Sequence, residues 1–217
     1  MGEVRDADAR GIDRVIEVGD RLAAGYAPAV ASFLFLRHGR TSANHLGIIQ
    51  GQKDVPLDEV GRGQAQAAAE ILRRAAVRPR RIVSSDLSRA AETARILARG
   101  LGMRVAEYDA GLRERNFGTA QGRSASRLIW HSDPPGAESI EDFVRRCGEA
   151  MGRHLREPGT LIVAHGGVLR ATAALLRHPL PGGGSANAVP LAFRRTEAGW
   201  RIELIAREVS LQEVQGA

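Results

Sequence analysis

Three short apolar runs in this chain each lead directly into side chains that can do chemistry. Phe33-Leu34-Phe35-Leu36 runs into Arg37-His38-Gly39, Ile82-Val83 into Ser84-Ser85-Asp86 with Arg89 shortly after, and Ile162-Val163-Ala164 into His165-Gly166-Gly167. None of these triplets is specific alone. Together they offer two imidazoles and two guanidiniums. A guanidinium presents a fixed fork of donors that matches phosphate oxygens bidentately and stays charged at any working pH. A neutral imidazole nitrogen is nucleophilic near neutral pH and can attack phosphorus in line, and a second imidazole, protonated, would stabilise charge on the equatorial oxygens. Backbone N–H groups after His38 and His165 fall at helix or loop starts, where anions are favoured. Phosphoryl transfer needs mainly positioning and charge stabilisation, which these groups supply without a metal. A leaving alkoxide also needs a proton, and Glu114, in Leu112-Arg113-Glu114-Arg115, is the candidate general acid.

These groups converge only if the apolar runs are neighbouring parallel strands, because an open α/β sheet binds ligands beyond the carboxyl ends of its strands. The chain supports that arrangement. Strands are expected at 32–36, 81–83 and 160–164, each a continuous apolar run of the kind a strand covered on both faces requires. Helices are expected at 58–76, 87–99, 138–156 and 167–177, with Ser84-Ser85-Asp86 as turn and cap, and Pro134-Pro135-Gly136 breaking the chain before the third. An edge-like strand is expected at 105–108. After Pro181-Gly182-Gly183-Gly184, two antiparallel strands follow at 189–195 and 200–205. Alternating strands and helices predict an α/β three-layer sandwich, with a mostly parallel central sheet, helices on both faces and a late antiparallel strand. Residues 31–217 form a single domain by this reading. Residues 1–30 form an extension with one helix, marked by Ile12, Val15, Ile16 and Leu22 and ended by Gly25 and Pro28.

Composition narrows the function classes. The 217 residues carry 31 Lys+Arg against 25 Asp+Glu, and Lys53 is the only lysine. An arginine-only excess reads first as a solvated surface, and with aromatics at 4% there is little material for stacking on bases. No nucleic-acid partner is expected. No apolar run approaches the roughly 20 residues that cross a bilayer, and the acidic start has no apolar stretch of a signal peptide, so a cytoplasmic protein without a membrane partner is expected. The single Cys147 excludes an internal disulfide framework and a cysteine-built zinc site.

The residues also resemble a known family. Arg37-His38-Gly39-Arg40-Thr41-Ser42-Ala43-Asn44 looks like the RHGxTxxN signature of the histidine phosphatase superfamily, in its phosphoglycerate-mutase-like branch. Ser84-Ser85-Asp86-Leu87-Ser88-Arg89-Ala90 with Thr93, Leu112-Arg113-Glu114 with Phe117-Gly118, Pro135-Gly136-Ala137-Glu138-Ser139, and Val163-Ala164-His165-Gly166-Gly167 continue the likeness in order. The resemblance implies that His38 is the phosphorylated nucleophile, Glu114 the proton donor, and Arg37, Arg89, His165 and Asn44 the phosphoryl ligands, with the Gly166 N–H contributing. It implies no cofactor and no metal.

Within that family, hydrolysis of a small phosphorylated metabolite is favoured over mutase-type transfer. Only 23 residues separate Glu114 from Glu138, and a mutase needs more wall there; Arg123, Arg127 and His131 are the contacts that stretch offers. Gln121 points slightly toward the mutases. Arg40 adds positive charge at the rim and suits a substrate with a second acidic group. A metal-dependent hydrolase built on His38, His165, Asp86 and Glu114 has no supporting ligand spacing. A phosphate-binding module without turnover remains as a third class, although neither nucleophile nor clamp is missing. His45, His131, His154 and His178 read as surface residues, Glu138-Ser139 as capping, and a homodimer is allowed.

Overall fold

The computed structural model describes residues 14–125 and 133–205. Helix α1 covers residues 14–22, followed by strand β1 (Ser32–Arg37), the short helix α2 (Ser42–His45), α3 (Glu59–Arg74), β2 (Arg81–Ser84) and α4 (Ser88–Gly100). Then come β3 (Glu107–Tyr108), α5 (Ile140–His154), β4 (Thr160–Ala164), α6 (Gly166–Leu175), β5 (Pro190–Thr196) and β6 (Gly199–Leu204). One sheet runs in the order β3-β2-β4-β1-β5-β6. The strands β1 to β4 pair in parallel, β5 runs antiparallel to β1, and β6 antiparallel to β5. The expected α/β class and late antiparallel pair are therefore present.

Alternation along the central strands divides the interior in two. Phe33, Phe35, Val83, Ile162 and Ala164 share one core with Phe143, Val144 and Cys147 of α5 and Val168 and Leu169 of α6. Leu36, Ile82, Leu161 and Val163 face the opposite way, onto Ala68 and Leu72 of α3 and Ala94 and Leu97 of α4. Because both faces are covered, the strands read as unbroken apolar runs, and each fully buried Leu or Phe contributes roughly 1.5–3 kcal/mol. Burial pushes the Cys147 thiol up, so it is a core side chain, not a nucleophile.

Val15 and Val18 of α1 belong to the first core. At Gly19 the helix lies so close to α6 that an added Cβ would sit 2.5 Å from the Ala174 Cβ. Arg21 of α1 pairs with Glu141 of α5 at 2.6 Å. Ile12 lies outside the described residues.

Several expectations need correction. β3 is two residues long, and α2 was not anticipated. The turn at Ser84-Ser85-Asp86 does not cap α4; the N–H of Ser88 donates instead to Asp54 Oδ1 at 2.8 Å. α5 begins at Ile140, with Ser139 as its N-cap accepting from the Asp142 N–H at 3.0 Å. His154 is buried, its Nε2 2.7 Å from Asp109 Oδ2, because it ends the core-facing stripe of α5 beside β3. His131 and Arg127 lie outside the described residues.

Candidate active site

The three polar triplets meet at the carboxyl ends of β1, β2 and β4, and the sheet itself does the positioning. The His38 N–H donates to the Ala164 carbonyl at 2.9 Å and the Ser85 N–H to the Val163 carbonyl at 2.9 Å, so β4 ties both neighbours just where the strands end. The rings of His38 and His165 lie 5.2 Å apart, centroid to centroid.

His38 is 3% exposed, with Nδ1 2.7 Å from the Gly39 carbonyl oxygen. A carbonyl only accepts, so Nδ1 carries the proton of the neutral ring and Nε2 carries the lone pair. Asn187 Nδ2 donates to the His38 carbonyl at 2.8 Å, and the Gly39 N–H donates to Thr93 Oγ1 at 3.0 Å. Gly39 itself must be glycine, because a Cβ would lie 2.4 Å from the Gly61 carbonyl oxygen at the start of α3.

The guanidiniums are held from behind by main-chain carbonyls. Arg37 donates through Nη1 to Ser185 at 2.6 Å; Arg89 donates through Nη1 to Lys53 at 3.0 Å and through Nη2 to Gly51 at 2.7 Å. The Nε of each is buried without a protein partner among the described residues, as is Nδ1 of His165, whose Nε2 lies 2.9 Å from Ser85 Oγ. Buried polar nitrogens are normally satisfied, so three of them without a protein partner mark one polar cluster at the strand ends.

Burial, then the charges of Arg89 and Arg37, hold His38 well below the usual histidine range. The same causes, joined by His38 and Arg146, act on His165. Both shifts favour the neutral ring in the free site. Burial also lowers both guanidiniums, Arg89 to about 10, and leaves them charged at neutral pH.

Glu114 closes the site from the loop that precedes α5. Its Oε1 accepts from the Arg115 N–H and its Oε2 from the Gly167 N–H, both at 2.9 Å. A Cβ at Gly167 would stand 2.1 Å from Glu114 Oε1, so only glycine lets the carboxylate reach the first turn of α6. Arg146 of α5 holds this loop: Nη1 donates to the Gly111 and Arg113 carbonyls at 2.8 and 3.0 Å, while Nε and Nη2 each meet the Glu138 carboxylate at 2.8 Å. Arg115, with no exposure at all, donates to the Glu138 carbonyl at 2.9 Å, pairs with Asp133 and stacks its guanidinium over Phe117. The turn at 113–116 is half buried despite its charged residues.

His38, Arg37, Arg89, His165 and Glu114 are thus brought together. Gly166 packs on Arg37, its Cβ position 3.4 Å from Arg37 Nε. Asn44 is divided: Oδ1 accepts from the Thr41 N–H at 3.2 Å in a capping box, leaving its amide N–H groups for a ligand. Arg40 stands apart, its Nε paired with Asp58 Oδ2 at 2.8 Å at the N-cap of α3. Asn187, Arg146 and the Ser85 hydroxyl were missed. No signal marks Arg146 among so many arginines, and Asn187 lies beyond a glycine-rich loop, far from any motif. Among the described residues, no group of three or more His, Cys, Asp or Glu is arranged to hold a metal ion, and no helix is long and apolar enough to cross a membrane.

The fold is of the phosphoglycerate-mutase-like α/β class. The family model of the histidine phosphatase superfamily (branch 1) matches residues 33–206, and the chain belongs to that superfamily. It is 36% identical over 194 residues to agropine synthesis reductase of Rhizobium rhizogenes, covering 84% of this chain but only 44% of that protein, so the chain spans less than half of that relative. It is 38% identical over 184 residues to glucosyl-3-phosphoglycerate phosphatase of Mycobacterium tuberculosis, covering 71% of this chain and 81% of the relative. A solved mycobacterial glucosyl-3-phosphoglycerate phosphatase in complex with VO3 superposes with a TM-score of 0.65 at 33% identity, over 81% of this chain and 98% of that one.

Proposed function

We propose that the chain hydrolyses a small phosphorylated metabolite through a phosphohistidine on His38. The observation that carries this reading is the hydrogen bond from His38 Nδ1 to the Gly39 carbonyl. It leaves Nε2 as the bare nitrogen in a pocket whose other edges carry buried, unpartnered N–H groups. In the first step Nε2 attacks phosphorus, the N–P bond forms as the P–O bond to the leaving group breaks, and the Glu114 carboxyl gives its proton to the departing oxygen. In the second, the Glu114 carboxylate takes a proton from water, the water oxygen attacks phosphorus and the N–P bond breaks. Inorganic phosphate leaves, and His38 and protonated Glu114 are restored.

Arg37, Arg89, His165, the Asn44 amide and the Gly166 N–H hold the phosphoryl oxygens throughout. Arg40 is a rim cation for a second acidic group, in competition with its ion pair to Asp58. The phosphatase relatives and the short stretch between Glu114 and Glu138 favour water over a mutase's second acceptor. By analogy with the mycobacterial relative, sugar-linked phosphoglycerates head the list of substrates to try.

The test is turnover of p-nitrophenyl phosphate in EDTA. Activity should survive chelation, and His38→Ala should lower kcat on the order of 10⁴-fold or more, as removal of a covalent nucleophile does. Acid-quenched enzyme should carry acid-labile phosphate on His38. Loss of activity on chelation, or turnover undiminished in His38→Ala, would overturn the proposal.

A further inference from the structure

The two ring nitrogens of His165 face different surroundings, and the contrast fixes where its proton sits. Nε2 lies 2.9 Å from Ser85 Oγ. That oxygen also accepts from the Leu87 N–H at 3.3 Å, and both Ser85 and His165 are fully buried. Nδ1 has no protein partner among the described residues. Ser85 Oγ has one proton to give, and among the described residues His165 Nε2 is the only acceptor within its reach.

Two arrangements are available. If Nε2–H donated to Oγ, the hydroxyl proton would be buried without an acceptor, and Nδ1 would turn a lone pair toward the place where an anion binds. If the hydroxyl donates to Nε2, every protein group at that end of the ring is satisfied, and the neutral ring carries its proton on Nδ1. We infer that Ser85 sets the tautomer of His165, so that the neutral ring presents Nδ1–H to a phosphoryl oxygen and binds the anion without taking up a proton.

The groups facing the ring fit this assignment. Arg37 at the end of β1, His38 just after it, Arg89 on α4 and Arg146 on α5 all oppose a further positive charge there, and burial does so more strongly. Glu114, the carboxylate nearest by, is turned onto the Gly167 and Arg115 N–H groups. Two fixed guanidiniums already supply the charge for a dianion; the ring has only to supply direction. Ser85 is on this account a positioning residue that acts through His165. The inference rests on the phosphatase reading for its catalytic meaning, but not for its structural content.

The decisive measurement is ¹⁵N NMR of histidine-labelled protein, free and saturated with vanadate. The expected His165 signals are a protonated Nδ1 and an unprotonated Nε2 in both states at neutral pH. Ser85→Thr, which keeps a hydroxyl, should preserve the pattern, and Ser85→Ala should lose it. Kinetically, Ser85→Ala should lower kcat/KM about 10-fold or more with a changed pH profile, restored in Ser85→Thr. Protonation of both ring nitrogens in the vanadate complex, or a proton on Nε2 in the free protein, would overturn the inference. The wild-type spectra decide the matter even if Ser85→Ala fails to fold. They also separate the two readings: a chain that turns over no ester can still show the Nδ1–H tautomer, and a working phosphatase can still lack it.

Discussion

The two halves of the site are built by different means. On the proposed phosphate side, His38 and His165 directly follow strand ends, and the hydrogen bonds that aim them begin at the sheet: His38 N–H to Ala164, Ser85 N–H to Val163. On the proposed acid side, Glu114 sits on a loop whose shape is held by arginine side chains, Arg146 bonded to both the 111–113 stretch and Glu138, and Arg115 buried beneath it. The first half is rigid because backbone geometry is obligatory; the second is rigid only while two guanidiniums stay in place. Loss of a phosphate-side group should therefore remove function with the frame intact. Loss of an acid-side arginine should misplace a group that is still there.

The largest effect that sharpens this contrast is expected at Arg89. Arg89→Lys keeps a charge but loses the fork that bonds the Gly51 and Lys53 carbonyls while leaving Nε for the ligand. A fall in kcat/KM of roughly 10²–10³-fold is expected, similar for good and poor leaving groups, because charge stabilisation at phosphorus is common to both. Arg146→Gln should behave differently. Displacing Glu114 by about 1 Å costs up to about 10²-fold where a proton must be delivered, and much less for p-nitrophenolate, which leaves unassisted. Steady-state kinetics on an alkyl and an aryl phosphate read both variants. If Arg146→Gln slowed the two esters equally, the acid side would not be the separate, side-chain-built device described here.

The same contrast explains what could be read from the chain. Parallel strands covered on both faces must be continuous apolar runs, so the polar break at Arg37-His38, Ser84-Ser85 and His165 marks each strand's end and, with it, the ligand edge of the sheet. That geometry is local. The acid side depends on pairs distant in sequence, such as Arg146 with the Arg113 carbonyl and Arg115 with Glu138. Nothing within one window distinguishes Arg115 from a solvated arginine or His154 from a surface histidine; only the packing of α5 against the loop buries them. β3 is shorter than the expected four-residue strand: at the sheet edge its ladder with β2 spans Glu107 and Tyr108, flanked by single bonds from the Ala106 and Asp109 N–H groups to the Ile82 and Ser84 carbonyls.

The smallest effect concerns stability, and it tests whether the phosphate side carries its strain in neutral histidines. Burial and the two arginines lower the folded-state affinity of His38 and His165 for protons, while in the unfolded chain both take up protons near the ordinary histidine range. Below that range the unfolded state binds more protons than the folded one, so stability must fall as pH drops and level off above it. Each ring contributes a slope of about 1.4 kcal/mol per pH unit below about pH 6.5. Urea unfolding of the ligand-free protein, from about pH 7.5 down to about pH 5.5, should show this loss, and His38→Gln should remove roughly half of the histidine contribution. Arg146→Gln should leave most of it, since Arg146 is the last of the causes acting on His165 and is not among those acting on His38. An acid-side variant that flattened the profile as much as His38→Gln would mean that the two halves share one electrostatic frame.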